Sequence, residues 1–84
     1  MARYEDTLAK VLSGTSDSNI GFTDILNLLT HLGFALRSRG SHHIFSRSGV
    51  VEILNLQPQG SNAKPYQVKQ VRNVILRYKL AGGQ

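Results

Sequence analysis

Two hydrophobic periods divide this chain. Tyr4, Leu8, Val11 and Leu12 follow the i, i+4, i+7, i+8 spacing of one helical stripe, which predicts a first helix over Tyr4–Ser13, closed by Gly14 as a left-handed cap. Thr15 to Asn19 are small, hydroxylated or carboxylate-bearing and read as a connector. The helical period returns from Thr23 or Asp24 to Leu32, where Phe22, Ile25, Leu26, Leu29 and Leu32 share a face, with Thr23 as the expected N-cap and Gly33 as the stop. The period then drops to 2. Phe34–Arg39, His42–Arg47 and Val50–Leu56 read as three strands, separated by Gly40-Ser41 as a tight turn or bulge and by Ser48-Gly49 as a hairpin turn. Gln57–Lys64, with Pro58 and Gly60, reads as a loop. Pro65 opens a final helix to about Leu80, with Val68, Val71, Ile75 and Tyr78 on its core stripe and Val74 beside them.

The expected order is therefore α-α-β-β-β-α, an α+β domain of two layers in which helices cover one face of a three-stranded antiparallel sheet. Length adds one constraint: 84 residues with 40% hydrophobic content support a single core. The absence of cysteine excludes a disulfide framework, a thiolate metal site and a thiol nucleophile, and it fits a reducing compartment. No apolar run approaches the roughly 20 residues of a membrane span, and Met1-Ala2-Arg3-Tyr4-Glu5-Asp6 lacks the apolar stretch of a signal peptide. A soluble cytoplasmic protein with no membrane partner is expected.

Charge is segregated along the chain. Through Leu36, Arg3 and Lys10 stand against Glu5, Asp6, Asp17 and Asp24, a net of −2; from Arg37 onward eight cations stand against Glu52 alone, a net of +7. Such a half-chain suits a polyanion, because each phosphate contact releases counterions, and it also suits an acidic protein or a merely solubilising surface.

The candidate chemistry sits where that charge begins. Gly40-Ser41-His42-His43 lies between Arg37 and Arg39 on one side and Arg47 on the other. Imidazole is the usual general acid or base, and guanidinium groups are natural partners for a phosphate diester. Read without any relative, the pair equally admits a structural account, in which one histidine is a packed strand residue and the other a surface one. His31, near the end of the second helix, complements the helix dipole there and reads as structural. A metal site from His31, His42 and His43 is a weaker reading, since helical i, i+4 ligand spacing and a carboxylate cluster are both missing. Neither a metal nor a small-molecule cofactor is expected.

Leu32-Gly33-Phe34, Gly40-Ser41-His42-His43-Ile44-Phe45, Pro58 after the third strand and Lys64-Pro65 at the last helix form an ordered set. On these residues the chain from Phe22 to Leu80, 59 of its 84 residues, resembles the HicA toxin family of small bacterial ribonucleases from type II toxin–antitoxin modules. The resemblance implies a double-stranded-RNA-binding-like fold, whose skeleton matches the expected element order, and a metal-independent endoribonuclease acting on mRNA. It also implies a HicB-type antitoxin as protein partner. The family's catalytic histidine follows a Gly-Ser pair, which maps to His42, with His43 as second choice because some members place it one residue later. Many members carry a second histidine two residues after the proline, where this chain has Gly60.

On this reading His42 is the base that activates a ribose 2′-hydroxyl. Arg37, Arg39 and Arg47 would stabilise charge on phosphorus, Ser41 would orient the phosphate or the imidazole, Lys64 and Lys69 would add RNA contacts, and His43 or water would protonate the leaving oxygen. Strand alternation sends His42 and His43 to opposite faces unless the turn adds a bulge. Residues 1–21 form an extension of helix and linker on a core of residues 22–84, within one domain, and its acidic start suits packing or a partner contact rather than RNA. The alternatives are a non-catalytic RNA-binding module and a protein-interaction domain.

Overall fold

The computed structural model of the chain describes residues 3–82, so Met1, Ala2, Gly83 and Gln84 lie outside the described residues. Its elements are α1 (Tyr4–Ser13), α2 (Phe22–His31), β1 (Ala35–Arg39), β2 (His42–Ser46), β3 (Leu54–Leu56), β4 (Pro58–Gln59), β5 (Asn62–Ala63) and α3 (Pro65–Tyr78). The sheet β1-β2-β3 is antiparallel throughout, and β4-β5 is a separate hairpin. This is a small α+β domain of three helices and a three-stranded antiparallel sheet.

Its core is one cluster. Val11 and Ile20 are buried in it together with Ile25, Leu28 and Leu29 of α2, Phe45, Leu54 and Leu56 of the sheet, and Val68, Val71, Val74 and Ile75 of α3. Residues 3–21 therefore belong to the same hydrophobic body as the rest. Arg72 reinforces the join: its guanidinium donates to both carboxylate oxygens of Asp17, at 2.9 and 3.2 Å, and to the Val11 carbonyl at 3.1 Å.

α1 ends as expected, with Gly14 at φ 71°. α2 starts at Phe22, one or two residues before the expected Thr23 or Asp24: its N-cap is Gly21 rather than Thr23, and no side chain caps it. The entry to the helix is fixed by tertiary pairing instead: the Phe22 N–H donates to Ser61 O at 2.9 Å and the Ala63 N–H to Ile20 O at 2.9 Å, so the β4–β5 hairpin holds the chain on both sides of Gly21. At the other end Gly33, at φ 92°, allows Gly33 N–H to reach Thr30 O and Phe34 N–H to reach Leu29 O, a Schellman closure. α3 stops at Tyr78, two residues before the expected Leu80, with the same closure formed on Lys79 at φ 55°.

The expected third strand, Val50–Leu56, pairs only over Leu54–Leu56. Arg47–Val50 forms a turn closed by Val50 N–H on Arg47 O, with Gly49 at φ 87° in its third position. That is type II geometry, which splays the flanking strands instead of matching their twist. Pairing resumes with Phe45 opposite Leu54, two residues later than a Ser48-Gly49 hairpin would place it, and a shift of two keeps every side chain on its own face. The expected loop Gln57–Lys64 contains the β4–β5 hairpin, whose turn Gly60-Ser61 repeats the geometry of Gly40-Ser41. The two glycines have φ 62° and 61°, and each opens a two-residue turn of the type favoured in hairpins.

Candidate functional site

The β1–β2 register fixes which groups share a face. Arg39 pairs with His42, Ser38 with His43, Arg37 with Ile44 and Leu36 with Phe45, with no bulge. His43 and the buried Phe45 thus point toward the helices. His42, Arg37, Arg39 and, across β3, Asn55 point to the opposite face, where directly opposed side chains stand roughly 5 Å apart at Cβ.

The two histidines differ accordingly. His43 is half-buried, with its ring edge-on to Phe22 at 5.0 Å between centroids, and its Nδ1–H donates to Ser41 O at 3.2 Å. His42 is exposed and held at both nitrogens. Nδ1 lies 3.0 Å from Asn55 Oδ1 and Nε2 lies 3.1 Å from Gln57 Nε2. An amide oxygen only accepts and an amide nitrogen only donates, so the proton sits on Nδ1 and Nε2 presents its lone pair. Asparagine fixes an imidazole through one ring nitrogen in Cys-His-Asn proteases as well.

Gln57 links that imidazole to a cation. Its Nε2 also donates to Ser41 Oγ at 3.4 Å, and its Oε1 accepts from Lys64 Nζ at 3.4 Å. Underneath, the buried Gln67 of α3 acts as a surrogate strand at the free edge of β3. Its Oε1 accepts from the Gln57 N–H at 3.3 Å, while its Nε2 donates to Asn55 O at 3.5 Å and to Tyr66 Oη at 3.4 Å. Gln67 thereby fixes the backbone that carries both amide contacts to His42. His42, Asn55, Gln57, Tyr66 and Gln67 line an open cleft of about 350 Å³ between β3 and α3, together with Ile53 and Gln70.

The sequence-predicted residues do not all converge. Ser41, His42, Arg37, Arg39 and Lys64 gather around the open face and its turn. Among the described residues the guanidinium groups of Arg37 and Arg39 have no hydrogen-bond or ion-pair partner. Arg47 follows the far end of β2, where its guanidinium packs over Gly33; a Cβ there would meet Nε at 3.2 Å. Lys69 is exposed on α3 and takes no part in the cleft. His31 stacks on Tyr4, with centroids 4.3 Å apart. Among the described residues no group of three or more histidine, cysteine or acidic side chains is arranged to hold a metal ion, and no helix is long and apolar enough to cross a membrane.

Asn55, Gln57 and Gln67 were not singled out by sequence reasoning, since neutral amides carry no charge or motif signal. One signal was available: Gln67 shares the stripe of Val71, Val74 and Tyr78, and a polar side chain on a core stripe must have a buried partner. No protein-family model, curated protein or solved structure matches the chain.

Proposed function

We propose that the chain is a metal-independent endoribonuclease of the HicA kind, with a double-stranded-RNA-binding-like fold and His42 as its general base. The observation that carries this reading is the oriented, solvent-facing imidazole of His42, its Nδ1 proton directed to Asn55, beside the unpaired guanidinium groups of Arg37 and Arg39. Nε2 takes the proton of a ribose 2′-hydroxyl, the 2′-oxygen forms a bond to the adjacent phosphorus, and the P–O5′ bond breaks, leaving a 2′,3′-cyclic phosphate. The 5′-oxygen takes its proton from water, because His43 faces the helices and does not reach the same phosphate.

Gln57 occupies Nε2 in the free protein and gives way to the 2′-hydroxyl. Its amide, still tied to Lys64 and to the Gln67-anchored backbone, then serves a phosphate oxygen. The base step is worth roughly 10²–10⁴-fold in rate. As a toxin, the protein would cut mRNA and stop translation. A HicB-type antitoxin would then inhibit by covering His42 and the cationic face, so nuclease activity should vanish at antitoxin saturation.

The test is incubation of labelled mRNA with the wild-type protein and with His42→Ala in EDTA. Fragments from the wild type alone support the reading, and equal cleavage by both proteins contradicts it. The occupied Nε2 also favours a second reading, a non-catalytic RNA-binding module, which salt-dependent binding without breakdown by either protein would select.

A further inference from the structure

Two of the five exposed large apolar side chains among the described residues border one cleft. Ile53 is 66% exposed and Tyr66 is 56% exposed, and they stand on the β3 and α3 sides of the cleft that His42 opens onto. Tyr66 is anchored there, its Oη accepting from the buried amide of Gln67. Gln70, one turn after Tyr66 on α3, also lines the cleft, and its amide has no hydrogen-bond partner among the described residues. No charged side chain lines this cleft, whereas Arg37, Arg39 and Lys64 are grouped about the sheet face and the Gly40-Ser41 turn.

We propose that this cleft is a nucleobase subsite, which takes the base of the nucleotide whose 2′-hydroxyl meets His42. The inference rests on the RNA reading above and adds a source of sequence preference to it. The chemistry divides around the imidazole: fixed cations suit the phosphate, and an uncharged slot with an aromatic wall suits a base. Bases in single-stranded RNA are held by stacking on such rings and are read by hydrogen bonds along their edges. The volume of about 350 Å³ lies in the range of small-molecule clefts, roughly 300–1,000 Å³. Tyr66 supplies the stacking surface, Ile53 closes the opposite side, and the Gln70 amide offers one donor and one acceptor to the base edge.

The test uses labelled 10-mers of A, C, G or U with 2′-fluoro sugars, which lack the attacking hydroxyl and so report binding alone. The wild type should bind one base several-fold better than the rest. Tyr66→Ala should weaken that best complex about ten-fold. Tyr66→Phe should retain it, and Gln70→Ala should flatten the ranking with an unchanged salt dependence. Tyr66 and Gln70 are exposed, and the Gln67 amide keeps the Asn55 carbonyl as acceptor when the Tyr66 hydroxyl is removed, so these variants should melt near the wild type. Wild-type-like affinities and ranking in both alanine variants would overturn the subsite. A base-selective wild type that leaves unmodified RNA intact would defeat the nuclease reading while supporting the subsite. Absence of binding to every 10-mer would overturn both.

Discussion

Arg72 and His42 each anchor a polar network, and the two networks end differently. The Arg72 fork closes on itself: its charge meets Asp17, the Val11 carbonyl takes a further N–H, and the guanidinium and carboxylate side chains are only 15% and 20% exposed. Nothing there is left over to bind a ligand. The His42 network is built from neutral amides and opens outward, running from Asn55 through the imidazole to Gln57 and ending on Lys64, whose ammonium has no carboxylate partner among the described residues. A network closed by opposite charge holds the fold together, whereas one that ends in an unneutralised cation leaves a charge over, which under the proposed function would meet a phosphate. The basic half of the sequence serves both ends, and only the structure separates its arginines into the two groups.

This contrast breaks most visibly at Arg72. Arg72→Met strands the partly buried Asp17 and should cost about 2 kcal/mol, or about 10 °C in Tm, while leaving RNA binding unchanged. Thermal melting alongside a gel-shift checks both halves. Gln67→Leu acts on the other network: it orphans the Gln57 N–H and releases Asn55 and Gln57 from their register. It should cost about 1–2 kcal/mol in denaturant titration and lower cleavage per folded molecule as well, an effect that Arg72→Met should not share. Lys79→Gly relieves the left-handed residue closing α3 and should stabilise by about 0.5 kcal/mol in the same titration, with neither network touched.

The smallest effect concerns Glu52. Its carboxyl is held below the ordinary carboxylate range, chiefly by the Tyr78 hydroxyl at 2.6 Å, then by its own backbone and by Arg77. A carboxylate favoured in the folded state stabilises fully above its ordinary value of 4.5, and that contribution fades as pH falls through it toward the lower folded value. Between about pH 6 and pH 3, Tm should therefore fall more steeply for the wild type than for Tyr78→Phe. Parallel curves would mean that this contact is energetically silent.

Periodicity made the helices and the β1–β2 hairpin legible, because Tyr4–Val11, Phe22–Leu29 and Val68–Ile75 repeat cleanly and Gly40-Ser41 separates two alternating segments. Val50–Leu56 misled for a definite reason. Branched residues announce a strand, yet the turn at Ser48-Gly49 has the wrong twist, and Glu52 is drawn to Tyr78 and Arg77, leaving Val51 83% exposed. Pro58 and Gly60 read as loop because two-residue strands carry too little pattern to register. At the site, His42 was legible from its turn and its charged neighbours. Asn55 and Gln57 were not, since their meaning lies in the distance to one imidazole. Separating Arg47 and Lys69 from His42 likewise required the fold.

The central claim, that the two adjacent histidines are divided into one reactive and one packed group by the face each occupies, is tested most directly by comparing His42→Ala with His43→Ala. Both are assayed for single-turnover cleavage of labelled RNA in EDTA, below the melting temperature of either. The account predicts a loss of about 10²–10⁴-fold for His42→Ala with Tm nearly unchanged, and a lower Tm with cleavage largely retained for His43→Ala. The reverse pattern, a silent His42 and an essential His43, would contradict it.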